Sequence, residues 1–240
     1  ARTLRSWNHE SNEERLEEAG MTVKLIWKTP DAENLLAYIA RVSNPDNQDN
    51  PNIKRLLKYM LDNSHFSPFE MVNMCVEINT TRDIARQILR HRSFSFQEFS
   101  QRYQTVDKLG DMVYRECRLQ DTKNRQNSLP CDDENKQIWW RYGQEAAWDL
   151  AVEFYNKALE NGVAKEVARA LLPEGLTPSR MYVNGNLRSW IHYVQVRTDP
   201  TTQKEHRLIA EEVKQLMIRE FPVISEVLEW SDEPIRSSKD

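Results

Sequence analysis

Arg90-His91-Arg92-Ser93-Phe94-Ser95-Phe96-Gln97-Glu98-Phe99-Ser100-Gln101-Arg102-Tyr103 is the stretch on which the reading of this chain turns. It follows a helical pattern: Thr80-x-x-Asp83 resembles a capping box, and Ile84, Ala85, Ile88 and Leu89 share one face. Within the run the period changes. Ser93, Ser95, Gln97, Glu98 and Ser100 alternate with Phe94, Phe96 and Phe99, so that one side packs and the other stays polar. Arg82, Arg86 and Arg90 form a stripe apart from the apolar face, and Gln87 is three positions from Arg90 and four from His91, within reach of the same surface. The charge is supplied by arginine, whose planar fork suits bidentate bonds to phosphate or carboxylate. One arginine at a helix end need do no more than complement the dipole, worth roughly 0.3 to 1 kcal/mol. The run as a whole points to a pocket for a small phosphorylated molecule.

Upstream, Thr22-Val23-Lys24-Leu25-Ile26-Trp27 alternates like a strand, and the polar residues 1–20 are expected to form an extension ahead of a domain that begins near Met21. Asp31 can cap a short helix carrying Leu35, Leu36, Tyr38 and Ile39. Residues 44–52 read as a loop, and Ile53, Leu56, Leu57, Met60 and Leu61 as a second helix. Pro68 disfavours helical geometry at Ser67, so His65-Phe66-Ser67-Pro68-Phe69-Glu70 is expected to be fixed and extended before a strand over 71–78.

Downstream, a strand is expected over 112–119, a polar loop over 121–136, and a long helix over 137–161 with Ile138, Trp148, Val152, Tyr155 and Leu159 on its apolar positions. A shorter helix over 163–172 uses Val163, Ala164, Val167, Ala168, Leu171 and Leu172 as its core face. That leaves Arg169 free for a ligand or for Glu166 at the (i, i+3) spacing. Met71, Met74, Trp139, Trp140 and Trp148 are assigned to the core, and a mainly structural helix is expected over 203–221. In a second polar constellation, Asn186 caps a helix whose buried stripe is Leu187, Trp190, Ile191 and Val194. Arg188 and His192 share another face. Arg197, seven beyond Trp190, points along the buried stripe, so its charge needs a partner or an anion.

The 240 residues suffice for a single domain, and 39% hydrophobic with 29% charged residues and 6 glycines fits a helix-rich globular chain. No stretch is apolar for long enough to span a bilayer and no signal-peptide core is found, so a cytoplasmic protein is expected. Cys75, Cys117 and Cys131 lack metal-ligand spacing, so neither a metal site nor a disulfide framework is expected. A net charge of -4 argues against binding polymeric nucleic acid, and the local concentration of Arg82, Arg86, Arg90, Arg92 and Arg102 against only Asp83 and Glu98 suggests a pocket for a small anion instead. His65 and His192 do not by themselves identify an activity. Ser100 has no adjacent histidine and acid to make it a nucleophile, so its role would be to orient a ligand.

Arg90-His91-Arg92, seven intervening residues and Ser100 resemble the R-H-R-x7-S signature of the flavin-dependent thymidylate synthases. The resemblance runs in order through Ala40-Arg41-Val42-Ser43, His65-x-Ser67-Pro68-Phe69-Glu70, Ala85-Arg86-Gln87, Ser100-Gln101-Arg102-Tyr103, Glu166-Val167-Ala168-Arg169 and Asn186-x-Arg188-Ser189 to Arg197. It implies an α+β single domain over 21–230, with a central, mostly antiparallel sheet flanked by helices and a tail at 231–240. It also implies reductive methylation of dUMP to dTMP, with FAD as redox carrier and methylenetetrahydrofolate and NADPH as co-substrates. No enzyme nucleophile is implied.

By position in the matching motifs, Gln87, Arg90, Glu98, Ser100, Arg102, Arg169 and Arg197 would face dUMP, with Arg197, Ser100 and Arg90 closest to the chemistry. Ser67, Glu70, Arg90, His91, Arg92, Glu98, Asn186, Arg188 and His192 would contact FAD. The resemblance further implies a homotetramer with sites shared between subunits. Gln97 and His192 stand where Asn is frequent in the family, and Thr201 where His occurs. Two other readings compete. Pro130-Cys131 superficially resembles the nucleophilic Pro-Cys of the flavin-free thymidylate synthases, although the acids after Cys131 disfavour a thiolate. A binding module would instead use Arg82, Arg86, Arg90 and Arg92 as one basic ridge for polymers, with strong salt dependence.

Overall fold

Strand and helix alternate along the chain as the apolar spacing switches between two residues and three or four. A computed structural model describes residues 12–230. In chain order these form α1 (Asn12–Glu18), β1 (Thr22–Lys28), α2 (Ala32–Ala40), α3 (Lys54–Asp62), β2 (Asn73–Thr81), α4 (Arg82–Ile88), β3 (Ser95–Glu98), β4 (Arg118–Gln120) and β5 (Ser128–Pro130). Then follow α5 (Glu134–Glu160), α6 (Lys165–Ala168), β6 (Pro178–Asn186), α7 (Leu187–Arg197), α8 (Lys204–Glu220) and α9 (Pro222–Val227). Four strands form an antiparallel sheet in the order β1-β2-β6-β3, and β4 pairs with β5 as a separate ribbon. This is the α+β architecture expected from the sequence. Among the described residues, no helix is long and apolar enough to cross a membrane.

The two central strands, β2 and β6, pair along their whole length, from Asn73 opposite Asn186 to Thr81 opposite Pro178. Met74, Val76 and Ile78 of β2 and Met181 and Val183 of β6 are fully buried, as period-two alternation requires of the covered face. They join a core with Trp190, Ile191 and Val194 of α7 and Leu208, Ile209 and Val213 of α8. Each such side chain contributes about 1.5–3 kcal/mol by leaving water. Phe94 anchors the arginine-rich run to this core. Its ring lies 4.4 Å from that of Trp190 and covers Gly185, where a Cβ would overlap it. Immediately after Phe94, β3 pairs with β6, so the run is half turn and half edge strand.

The structure moves several sequence-derived boundaries. α1 lies ahead of Met21, and its Leu16 is only 1% exposed in the main core, so Asn12–Glu18 is packed with the domain. Residues 1–11 and the expected tail 231–240 lie outside the described residues. Asp31 precedes α2 in a left-handed conformation (φ 48°) and accepts from Asn34 Nδ2 at 2.8 Å, with no side-chain bond to a helix N–H. The loop over 44–52 is tied down by Arg41, whose guanidinium donates to the carbonyls of Asn50 (2.6 Å) and Asn52 (2.9 Å).

Ser67–Glu70 is a 3-10 turn, not an extended segment; Pro68 occupies its first positions, where a missing N–H costs nothing. The N-cap of α4 is Thr81 and not Thr80, which is buried in β2; the Thr81 hydroxyl donates to Asp83 at 2.5 Å. The strand expected over 112–119 shrinks to β4. The polar segment after it is a hairpin whose loop folds around the Asp121 carboxylate, which accepts from the Lys123 and Asn124 amides.

The long helix α5 follows Asp133, whose carboxylate accepts from Lys136 N at 3.2 Å, and stops at Asn161 and the left-handed Gly162. At 27 residues it is about 40 Å long. Only its C-terminal half finds an apolar partner, where Tyr155 packs with Ala168 and Leu172. Trp139 (70% exposed) and Trp140 (37%) are therefore not the core residues they were expected to be, and Ile138, an apolar position of the helix, is 67% exposed, because no apolar cluster among the described residues covers this half of α5. Met71, also expected in the core, is exposed in the connection between the 3-10 turn and β2. α6 is a single turn continued by a 3-10 turn, so Val163, Val167 and Leu171 stay exposed while Ala168 and Leu172 are buried.

Candidate active site

α4 ends at Ile88, and the chain turns through Arg90, His91 and Arg92 before Phe94 plugs into the core. Arg90 and Arg92 are exposed and make no ion pair among the described residues. His91, between them, points inward: its ring lies 5.0 Å from that of Tyr193 and 6.4 Å from that of His206. Arg197, at the end of α7, donates from Nε to His91 Nε2 at 2.8 Å. His91 is thereby an acceptor at Nε2 and carries its proton on Nδ1. Burial, then the charge of Arg197 and then His192, lower its pKa to about 4. The partner that Arg197 was expected to need is thus a neutral imidazole.

The other arginines of the expected nucleotide group take different positions. Arg102 Nε lies 3.5 Å from Glu166, and Arg169 Nε donates to the backbone carbonyl of Glu166 at 3.2 Å. Glu166 thus gathers the two arginines, although the side-chain pair it forms is with Arg102 and not with Arg169. Lys165 beside them donates to the Tyr103 carbonyl, and this corner opens as a cleft of about 390 Å³. The Ser100 hydroxyl accepts from Arg102 N at 3.4 Å. Glu98, on β3, accepts from the Ser179 hydroxyl at 2.7 Å and lies 3.8 Å from Arg82.

Two of the expected flavin contacts, Ser67 and Arg188, line a second cleft of about 580 Å³ together with Ser64, His65 and Phe66. Arg188 donates to Glu70 at 2.5 Å and its guanidinium lies 5.4 Å from the centre of the Phe66 ring. Asn186 caps α7 by accepting from Ser189 N at 2.9 Å, as the sequence indicated. His192 is exposed, as is Gln97, and Thr201 hydrogen-bonds Asp199. Within one chain the expected residues therefore form separate groups: His91 with Arg197, Arg102 with Arg169 about Glu166, and Ser67 with Glu70 and Arg188.

Sequence reasoning missed the start of α8, read as mainly structural. Gln203 and His206 there reach Gln87: Gln87 Nε2 donates to Gln203 Oε1 at 2.7 Å, and Gln87 Oε1 lies 3.2 Å from His206 Nδ1. Beneath them Glu205 is buried and held by Arg118 through two bonds of 2.7 and 3.0 Å, with Arg115 at 3.3 Å. Burial alone would raise the Glu205 pKa, but the Arg118 bonds and the charges of Arg115 and Arg118 lower it to about 2. The only signal in the sequence was the i, i+3 spacing of two polar side chains before an apolar helix face. Among the described residues, no cluster of His, Cys, Asp and Glu could hold a metal.

A family model described as thymidylate synthase complementing protein matches residues 24–223. A flavin-dependent thymidylate synthase of Synechocystis sp. is 50% identical over 198 residues, 82% of this chain and 90% of that protein. A probable flavin-dependent thymidylate synthase of Paramecium bursaria Chlorella virus 1 is 50% identical over 200 residues, 83% and 91% of the two chains. The fold is similar to the crystal structure of a UMP/dUMP methylase, PolB, from Streptomyces cacaoi bound with 5-Br dUMP, with a TM-score of 0.76 and 26% identity over 87% of this chain and 94% of that one.

Proposed function

The chain belongs to the flavin-dependent thymidylate synthases, and we propose that it methylates dUMP to dTMP with FAD as redox carrier, methylenetetrahydrofolate as carbon donor and NADPH as reductant. The observation that carries this reading is the Arg197 to His91 bond set between Arg90 and Arg92, which make no ion pair among the described residues. The Nε of Arg197 is engaged by His91, which leaves its two Nη groups without a hydrogen bond among the described residues. They can donate to a uracil oxygen and stabilise negative charge that develops on the ring. Arg90, Arg102 and Arg169 hold the nucleotide phosphate, with Ser100 and Gln87 orienting it. Glu98 faces both ligands from β3.

The donors present fit a flavin dinucleotide. Among the described residues Arg92 and Arg90 have no carboxylate partner and suit its diphosphate, while Ser67 and Arg188, the latter bound to Glu70, line a cleft large enough for part of it. Asn186, His91 and His192 complete that group. When bound, the flavin supplies the hydride chemistry, and the protein supplies orientation and electrostatics.

The competing readings are disfavoured by geometry. Cys131 is buried at the end of the β4–β5 ribbon with its Sγ 3.9 Å from the Asp133 carbonyl, and the arginine opposite this end of the ribbon, Arg118, is bound to Glu205. The basic ridge is broken because Arg82 faces Glu98 and Arg86 is paired with Glu174.

The separate groups meet when copies of the chain assemble, and the exposed row on α5 is the surface for that homotetramer. A cytoplasmic enzyme is consistent with this ligand set. The test is to load purified protein with FAD, desalt it, and follow flavin bleaching by NADPH without oxygen, then dTMP formation on adding dUMP and methylenetetrahydrofolate. Retained flavin with dTMP formed is the expected result. A folded sample that retains no flavin would overturn the reading.

A further inference from the structure

Gln87 is the one expected nucleotide contact whose side-chain oxygen and nitrogen are both engaged by another element, and the direction of every bond in that contact can be read from one buried charge. Glu205 is ionised and accepts only, since Arg118 and Arg115 occupy it. Gln203 approaches the same carboxylate at 3.0 Å and must therefore present Nε2 to it, which turns Gln203 Oε1 toward Gln87. Gln87 in turn must offer Nε2 at that 2.7 Å contact, which turns Gln87 Oε1 toward His206 Nδ1. His206 must then donate from Nδ1. An amide flip or imidazole tautomer is ordinarily a free choice, but here the carboxylate removes it. Burial, then Arg197 and then His91, keep His206 neutral, as a single-donor ring requires.

We propose that His206 and Gln203 are positioning residues that set the plane and the donor–acceptor sense of the Gln87 amide toward the nucleotide. One N–H and one oxygen lone pair of Gln87 are left to face the ligand, in an order dictated from the start of α8. The same corner of the chain holds the other half of the site, because Arg197 ends α7 and grips His91, whose ring is 6.4 Å from that of His206. A nucleotide contact on α4 and a second on the turn after it are thus registered against one another by the α7–α8 corner.

This inference rests on the reading that Gln87 faces dUMP, and the test separates the two. Affinity for dUMP is measured by calorimetry on flavin-loaded full-length protein for wild type, Gln87→Ala, His206→Phe, His206→Asn, Gln203→Leu and the Gln87→Ala/His206→Phe double variant. His206→Phe should keep the ring volume, flavin retention and Tm but weaken dUMP binding about ten-fold, the scale of one lost hydrogen bond. His206→Asn, which keeps a donor near Nδ1, should recover most of that loss. Gln203 is exposed, so Gln203→Leu reports without a folding penalty and should weaken binding similarly. The double variant should bind no worse than Gln87→Ala alone. Wild-type affinity in His206→Phe and Gln203→Leu, alongside weakened binding in Gln87→Ala, would overturn the positioning role. Wild-type affinity in Gln87→Ala would instead overturn the premise that Gln87 contacts dUMP.

Discussion

At the scale of the residue, the site depends on how one guanidinium is held. Arg197 spends Nε on His91 and keeps two Nη groups, a division that lysine cannot reproduce with a single ammonium. Arg197→Lys is therefore expected to lower dTMP formation by about 10²-fold or more with the flavin retained, as measured in single turnover, because donors aimed at developing charge are worth that much. The sequence made plain that Arg197 needed a partner, since a charge seven residues beyond Trp190 lies on a buried stripe. It could not say that the partner was His91, which is 106 positions away and reached only when α7 folds against the turn after α4. Gln203 and His206 were invisible for the same reason. Their importance lies in facing Gln87, not in any pattern of their own.

At the scale of the element, the two surprises are at opposite ends of the burial range. α1 is polar by composition, yet it contributes Leu16 to the main core and ties Asn12 to Glu212 of α8 at 3.1 Å. Leu16→Ala should cost about 3 kcal/mol in urea unfolding at fixed protein concentration. A loss below 0.5 kcal/mol would return this segment to the extension that its composition suggested. α5 shows the reverse, with aromatic side chains that periodicity assigns to a core but which one chain leaves open. Trp139→Glu is expected to shift the assembled protein toward smaller species in sedimentation velocity, with its far-UV circular dichroism unchanged. Periodicity identifies the face of a helix that avoids water, but not whether that face is covered by its own chain or by another.

At the scale of the whole molecule, buried ionisable groups make the fold sensitive to acid. His206 and His91 are held neutral, with pKa values lowered to about 3 and about 4 from the ordinary 6.5, by burial and then chiefly by the Arg197 charge. The unfolded chain takes up protons at both sites below pH 6.5 that the folded chain refuses, so stability falls as pH drops from about 6.5 toward those values. For His206 the slope approaches about 1.4 kcal/mol per pH unit. Glu205, lowered to about 2, stabilises above the usual carboxylate range, and its contribution is lost as pH falls from about 4.5 through 2. Both effects have the same sign. Urea midpoints should decrease steadily from pH 7 to pH 4, and His206→Phe should flatten that decrease; parallel curves would exclude His206 as a source of it.

Local information sufficed for much of this protein. The change of period at Arg90–Tyr103, the cap at Asn186, the buried stripe of α7 and the arginine-rich signature were all legible in order along the chain, because helix periodicity, capping and bidentate anion chemistry act between near neighbours. The pairing of β2 with β6, the 3-10 turn at Ser67–Glu70, the burial of Leu16, and the meeting of Arg197 with His91 and of Gln87 with His206 were decided by the tertiary structure. Apart from the local 3-10 turn, each depends on a distance between residues far apart in sequence, which is set only when the helices pack on the sheet around Trp190 and Phe94.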